Sequence, residues 1–212
     1  AASDVYKRQA EQSGLIGALT EWVVNEALLH TRKWLDKGLA IHISVNLSMH
    51  NLREESFCER ISRALEKHQV PSNFLTLEIT ESAMMFNPRQ VIKVLNDLDS
   101  MGIRLAIDDF GTGFSSLAYL KQLPVDEIKI DKSFIMDLAN DSNDQAIVRA
   151  TLNLAENLGL SVVAEGIEDR ESLRILAQMG CRMAQGYHFA VPLDANELER
   201  YLRQRLPQGK TA

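Results

Sequence analysis

The sequence predicts an α/β protein of parallel strands, a βα barrel short of about two units on its N-terminal side. Three observations predict it: helix-periodic and strand-like segments alternate, six strand-like runs are present, and polar residues recur where those runs end. Of 212 residues, 45% are hydrophobic and 25% charged, an ordinary composition for a folded domain with one sizeable core. Lys and Arg number 23 against 29 Asp and Glu, a formal charge of −6. An acidic chain without basic runs lacks the electrostatic footprint of a duplex nucleic-acid binder or an anionic-membrane binder. An anionic substrate would then need metal ions or a few placed cations. The absence of a long uncharged apolar run and of a basic-then-apolar leader predicts a cytoplasmic chain. Cys58 and Cys181 lie far apart and are expected to be reduced and buried.

Residues 1–9 match no periodic template, and residues 3–9 resemble a translated sequencing adapter. They are expected to be a non-native start, with the natural protein continuing upstream. The barrel domain is expected over residues 10–206, followed by a polar tail at 207–212. From Leu15, apolar residues recur at Leu19, Trp22, Val23, Ala27 and Leu35, the spacing of an amphipathic helix. A buried strand is expected over 40–47, then strands over 74–79, 104–107, 127–130, 161–164 and about 183–188. Gly102, Gly159 and Gly180 each stand between a helical pattern and the next strand, where a left-handed residue ends a helix.

Alternating βα units imply parallel strands, in an open doubly wound sheet or a closed barrel. No glycine-rich phosphate fingerprint opens a helix, which disfavours the nucleotide-binding open sheet. A TIM barrel has eight strands in about 250 residues. Six strands in 212 residues therefore read as a modified TIM (β/α) barrel, incomplete at the N-terminus.

The chemistry is suggested by where polar residues fall. Asn46, Glu78, Asp108-Asp109 and Glu165 end successive apolar strands, Lys129 lies in another, and Gln185 lies near the last. A carboxylate after a strand often does no more than cap the following helix. A whole set of them in a parallel barrel points to one mouth, where active sites sit. Adjacent Asp108 and Asp109 repel unless a cation or proton intervenes, and a hard divalent ion with oxygen ligands resolves this. By alternation Lys129 shares a face with Glu127 and Asp131. The loop Phe110-Gly111-Thr112-Gly113-Phe114-Ser115-Ser116 reads as a flap beside the acids. No histidine is paired at metal-binding spacing, His42 and His188 read as packing residues, and Met84, Met85 and Met101 read as core.

Together these segments resemble the EAL family of cyclic di-guanylate phosphodiesterases. The resemblance runs from about residue 11 to 193. It passes through Ser44-Val45-Asn46-Leu47-Ser48, Leu77-Glu78-Ile79-Thr80-Glu81-Ser82 and Ile107-Asp108-Asp109-Phe110-Gly111-Thr112-Gly113. It continues through Leu123-Pro124-Val125-Asp126, Ile128-Lys129-Ile130-Asp131, Ala164-Glu165-Gly166-Ile167-Glu168 and Gln185-Gly186-Tyr187. It implies hydrolysis of one phosphodiester of cyclic di-guanylate with Mg²⁺ or Mn²⁺, giving the linear dinucleotide. Asn46, Glu78 and Asp108 are then implied metal ligands, and Asp109 the carboxylate shared by two metals. Lys129 would hold the attacking water and offset phosphate charge, Glu165 would serve as base or site partner, and Gln185 would be a further polar group. Glu81 and Glu168 would anchor the Gly111, Thr112, Gly113 flap.

The family's Glu-Ala-Leu segment lies on a strand upstream of the first helix seen here. Glu26-Ala27-Leu28, inside that helix, reads as a coincidence of helix formers. Weak or no activity is therefore expected of these residues alone. The resemblance also implies a homodimer with sensory or cyclase domains upstream. Two other readings compete: a non-catalytic sensor that binds cyclic di-guanylate, and a different metal barrel of the enolase type, which the flap and the Asn46 strand disfavour.

Overall fold

A computed structural model describes residues 9–10, 13–85, 87–113 and 117–205. Helix α1 (Ile16–Asp36) buries Val24, Leu28, Thr31 and Trp34 at helical spacing. It carries Glu26, Ala27 and Leu28, so that tripeptide is helical. Strand β1 (Ile43–Leu47) follows, then α2 (Phe57–His68), β2 (Leu75–Thr80), the short α3 (Glu81–Met84) and α4 (Pro88–Ser100). Next come β3 (Arg104–Phe110), the short α5 (Leu117–Leu120), β4 (Glu127–Ile130) and α6 (Ser142–Leu158). Strand β5 (Ser161–Ala164), α7 (Arg170–Gln178), β6 (Met183–Ala184) and α8 (Ala195–Arg205) complete the order.

Among the described residues six strands form one sheet in the order β1-β2-β3-β4-β5-β6, every pair parallel. This is the six-stranded parallel α/β fold expected of a partial barrel, each crossover carrying its helix to the outer face. The core sits there. Val45, Leu47, Leu75, Leu77, Ile79, Leu105, Ile107 and Ile128 meet Val24, Leu28, Ile61, Leu65, Leu95 and Leu98 from the helices. A second cluster joins Ile130, Ala164 and Ile167 to Val148 and Leu176.

Several details differ from the sequence expectations. Strand β1 is shorter than 40–47 and is not buried on both faces: Ser44 and Asn46 are exposed while Val45 and Leu47 are buried. An edge strand has one neighbour, so its inner face is open. Strand β3 runs on through Phe110 rather than stopping at Ile107. Strand β6 pairs over two residues, not six. Beyond it Gly186 passes so near Ile167 that a Cβ there would lie 2.2 Å from the Ile167 carbonyl oxygen. Both cysteines are free and half-buried rather than fully buried. His42 precedes β1 and stacks on Phe74 at 4.7 Å between ring centroids. Met84 is core as expected, but Met85 is exposed.

Gly159 ends α6 in the left-handed region at φ 73°. Gln69 does the same for α2 at φ 53°, without glycine. Among the described residues, no helix is long and apolar enough to cross a membrane.

Candidate functional site

Strand alternation and register divide the sheet into an apolar outer face and a polar inner one. Asn46 pairs in register with Glu78, Glu78 with Ala106, and Ala106 with Glu127. The same parity carries Asp108, Lys129 and Glu165 inward, towards the C-terminal ends of the strands. Ser44, Asn46, Glu78, Thr80, Asp108, Asp109, Lys129, Glu165 and Gln185 line one cavity of about 400 Å³ there.

The acid pair reaches the cavity through a break in alternation. Ile107 pairs with Ile128 and Phe110 with Ile130, with a register shift between them. Two residues of β3, Asp108 and Asp109, therefore oppose the single Lys129 of β4, a β-bulge. Asp109 adopts φ 54°, a left-handed conformation that costs most residues energy and that Asp tolerates better than most. The Asp109 N–H donates to Asp108 Oδ1 at 3.1 Å, and Thr112 Oγ1 donates to the Asp109 carbonyl at 2.8 Å.

Lys129 Nζ stands 2.7 Å from Glu78 Oε2, 3.2 Å from Asp108 Oδ1 and 2.6 Å from Glu165 Oε1. Burial works against its charge, but Glu78, Asp108 and Glu165 outweigh burial and hold the ammonium pKa above its ordinary value. Burial raises the Glu165 carboxyl, against the opposing pull of Lys129. Gln185 Nε2 donates to Glu165 Oε1 at 2.6 Å. Burial also raises Asp109, with Asp108 and Asp131 adding to the rise.

Helix capping is done by other residues. Thr80 caps α3, Asp141 caps α6 and Asp169 caps α7 through their side-chain oxygens. Glu78, Asp108 and Glu165 face Lys129 instead.

Glu81 is buried at the start of α3, and its Oε2 accepts the N–H groups of Gly111 at 3.0 Å and Gly113 at 3.2 Å. A Cβ on Gly113 would lie 3.0 Å from that carboxylate. Glu168 stands apart from this arrangement. It is exposed, and among the described residues no hydrogen bond ties it to the Gly111 to Gly113 turn. The rest of the expected flap, residues 114–116, lies outside the described residues. Asp131 is the residue to which sequence reasoning gave no role. Its carboxylate accepts the Ser133 N–H at 2.9 Å, and its negative charge adds to the rise of the Asp109 carboxyl. Its shared parity with Lys129 was the available signal.

Among the described residues, no three Asp, Glu, His or Cys side chains form a ready-made metal cage. The acids gather on Lys129. The donor set nonetheless fits a hard divalent cation, because Asn46, Glu78, Asp108 and Asp109 offer only oxygen. Glu78 contacts Lys129 through Oε2 and Asp108 through Oδ1, which leaves the other oxygen of each as a further donor.

A parallel α/β sheet with its polar side chains gathered at the C-terminal strand ends has the layout of the α/β proteins whose sites lie at that end. The EAL domain model matches residues 4–192, and the chain belongs to that family. It is 43% identical over 190 residues to the bifunctional diguanylate cyclase/cyclic di-GMP phosphodiesterase MucR of Pseudomonas aeruginosa, covering 89% of this chain and 28% of MucR. It is 42% identical over 195 residues to the cyclic di-GMP phosphodiesterase NbdA of the same organism, covering 92% and 25% respectively. The chain thus spans about a quarter of the length of these curated relatives. The solved PaMucR phosphodiesterase in complex with c-di-GMP superposes with a TM-score of 0.89 at 41% identity, covering 92% of this chain and 79% of that one. Klebsiella pneumoniae BlrP1, solved as a manganese and cyclic-di-GMP complex, gives 0.76 at 29% identity, covering 82% and 44%.

Proposed function

We propose that this site opens one phosphodiester bond of cyclic di-guanylate and releases the linear dinucleotide. The observation that carries the reading is the bulge that sets Asp108 and Asp109 opposite Lys129, inside a cavity whose other walls are Asn46, Glu78 and Glu165. The family, and relatives named for this activity, support the substrate.

In this reading Asn46, Glu78, Asp108 and Asp109 would hold Mg²⁺ or Mn²⁺. When bound, such a cation supplies Lewis acidity and lowers the pKa of water. Lys129 meets a phosphate oxygen and offsets charge that the acidic mouth would otherwise repel. Glu165, whose carboxyl burial makes more basic, accepts the proton of the attacking water. Gln185 fixes the Glu165 carboxylate by donating to it. Glu81 holds the Gly111 to Gly113 turn beside the acid pair. The same reading places the chain as a cytoplasmic module of a longer homodimeric signalling protein.

The test is incubation with cyclic di-guanylate and Mg²⁺ or Mn²⁺, with the linear dinucleotide separated by chromatography. Slow metal-dependent release, abolished in Asp109→Ala, is expected. Tight nucleotide binding without turnover would move the chain to the sensor reading.

A further inference from the structure

Four charged side chains meet at the mouth and are nearly withdrawn from water. The Lys129 side chain is 6% exposed, and those of Glu78, Asp108 and Glu165 are 6, 12 and 16% exposed. Without the ammonium, the carboxylates of Glu78 on β2, Asp108 on β3 and Glu165 just after β5 would repel one another where solvent screens them poorly. Asp109 adds a fourth carboxylate across the bulge. Glu78 and Asp108 are both contacts of Lys129 and proposed cation ligands.

The geometry points to Lys129 as a resident counter-ion that gathers Glu78 and Asp108 before a divalent cation arrives and then competes with that cation for them. This rests on the cation reading given above. A carboxylate oxygen turned to an ammonium cannot serve a dication at full strength, and an ammonium beside a dication repels it. Cation loading therefore draws Glu78 and Asp108 away from Nζ. Glu165, which a second donor from Gln185 also holds in place, remains the partner of Lys129. An ammonium left with one carboxylate instead of three then has hydrogens free for an anionic oxygen. Metal loading and readiness for an anionic substrate are coupled through this one side chain.

The experiment is calorimetric titration with Mn²⁺ alone, paired with thermal unfolding with and without Mn²⁺. It uses the wild-type chain, Lys129→Met, Lys129→Gln as a second neutral variant, and Lys129→Arg. Without cation, both neutral variants melt below wild type, because the carboxylates lose their partner. They bind the first Mn²⁺ tighter, on the order of tenfold, and Mn²⁺ raises their Tm by more than it raises that of wild type. Lys129→Arg keeps the charge and returns the affinity towards wild type. Neutral variants that lose stability but bind Mn²⁺ no tighter would show a purely structural lysine and overturn the inference. The wild-type chain supplies a check independent of any variant's folding, since the Lys129 ammonium ¹⁵N resonance must move on Mg²⁺ addition. A fixed resonance while Mg²⁺ binds overturns the inference as well. A folded wild type that gives neither heat nor a Tm shift with Mn²⁺ would instead remove the cation reading itself.

Discussion

Two ion clusters line the same inner face of the sheet, one at each end of the strands, and they differ in depth and connectivity. At the C-terminal end Lys129 binds three carboxylates and is buried. At the N-terminal end Arg104 Nη2 stands 3.7 Å from Glu127 Oε2, with the Arg104 side chain 39% exposed. Glu127 has a second partner there, the Ser161 hydroxyl at 3.1 Å. The Arg104 pair is one long contact from a part-exposed guanidinium to the buried Glu127 carboxylate. The Lys129 cluster gathers charge that the fold must hold against repulsion, and that difference supports the proposal that the site lies at this end.

Removing each cation tests the contrast. Lys129→Ala leaves buried carboxylates unpaired and is expected to cost about 3–5 kcal/mol in urea unfolding. A loss under about 1 kcal/mol would make the two ends equivalent. Gly186→Ala forces a Cβ against the Ile167 backbone and is expected to cost about 2–3 kcal/mol by the same measurement. It should also displace Gln185 from Glu165. Glu81→Gln weakens two hydrogen bonds to the turn after the bulge and is expected to cost about 1–2 kcal/mol. Faster amide exchange at Gly111 and Gly113 would confirm where that loss arises. Arg104→Ala is expected to stay within about 1 kcal/mol of wild type, since the contact is long at 3.7 Å, the guanidinium is part-exposed and Ser161 remains on Glu127. A larger loss would mean that the N-terminal end is also a tightly coupled cluster. The smallest effect is a gain. Gln69→Gly relieves a left-handed residue at the end of α2, worth roughly 0.5–1 kcal/mol in thermal unfolding, far from either cluster.

The strands β4 and β5 were legible to the residue, because short β-branched runs bounded by turn residues have few alternative assignments. The ends of β1, β2, β3 and β6 were not. Hydrophobicity does not say whether a strand has one neighbour or two, so β1 read as buried although its inner face is open. The end of β3 and the run after β6 owe their course to pairing partners distant in sequence. Glu81 was expected near the glycine turn and hydrogen-bonds to it, whereas Glu168 is exposed and, among the described residues, makes no such bond. Both follow a strand closely. What separates them is the direction in which the chain leaves that strand, which local spacing does not encode.

The sequence by itself determined the alternation of elements, the apolar outer face and the residue types at the strand ends, because each follows from periodicity within a few residues. Only the tertiary structure decided that Asp108 and Asp109 both enter the cavity. Strict alternation would turn one of them outward, and the bulge opposite Lys129, together with the left-handed turn at Asp109, brings both inside. The convergence of Glu78, Asp108 and Glu165 on one ammonium is likewise a property of register between strands, set by packing across residues far apart in the chain.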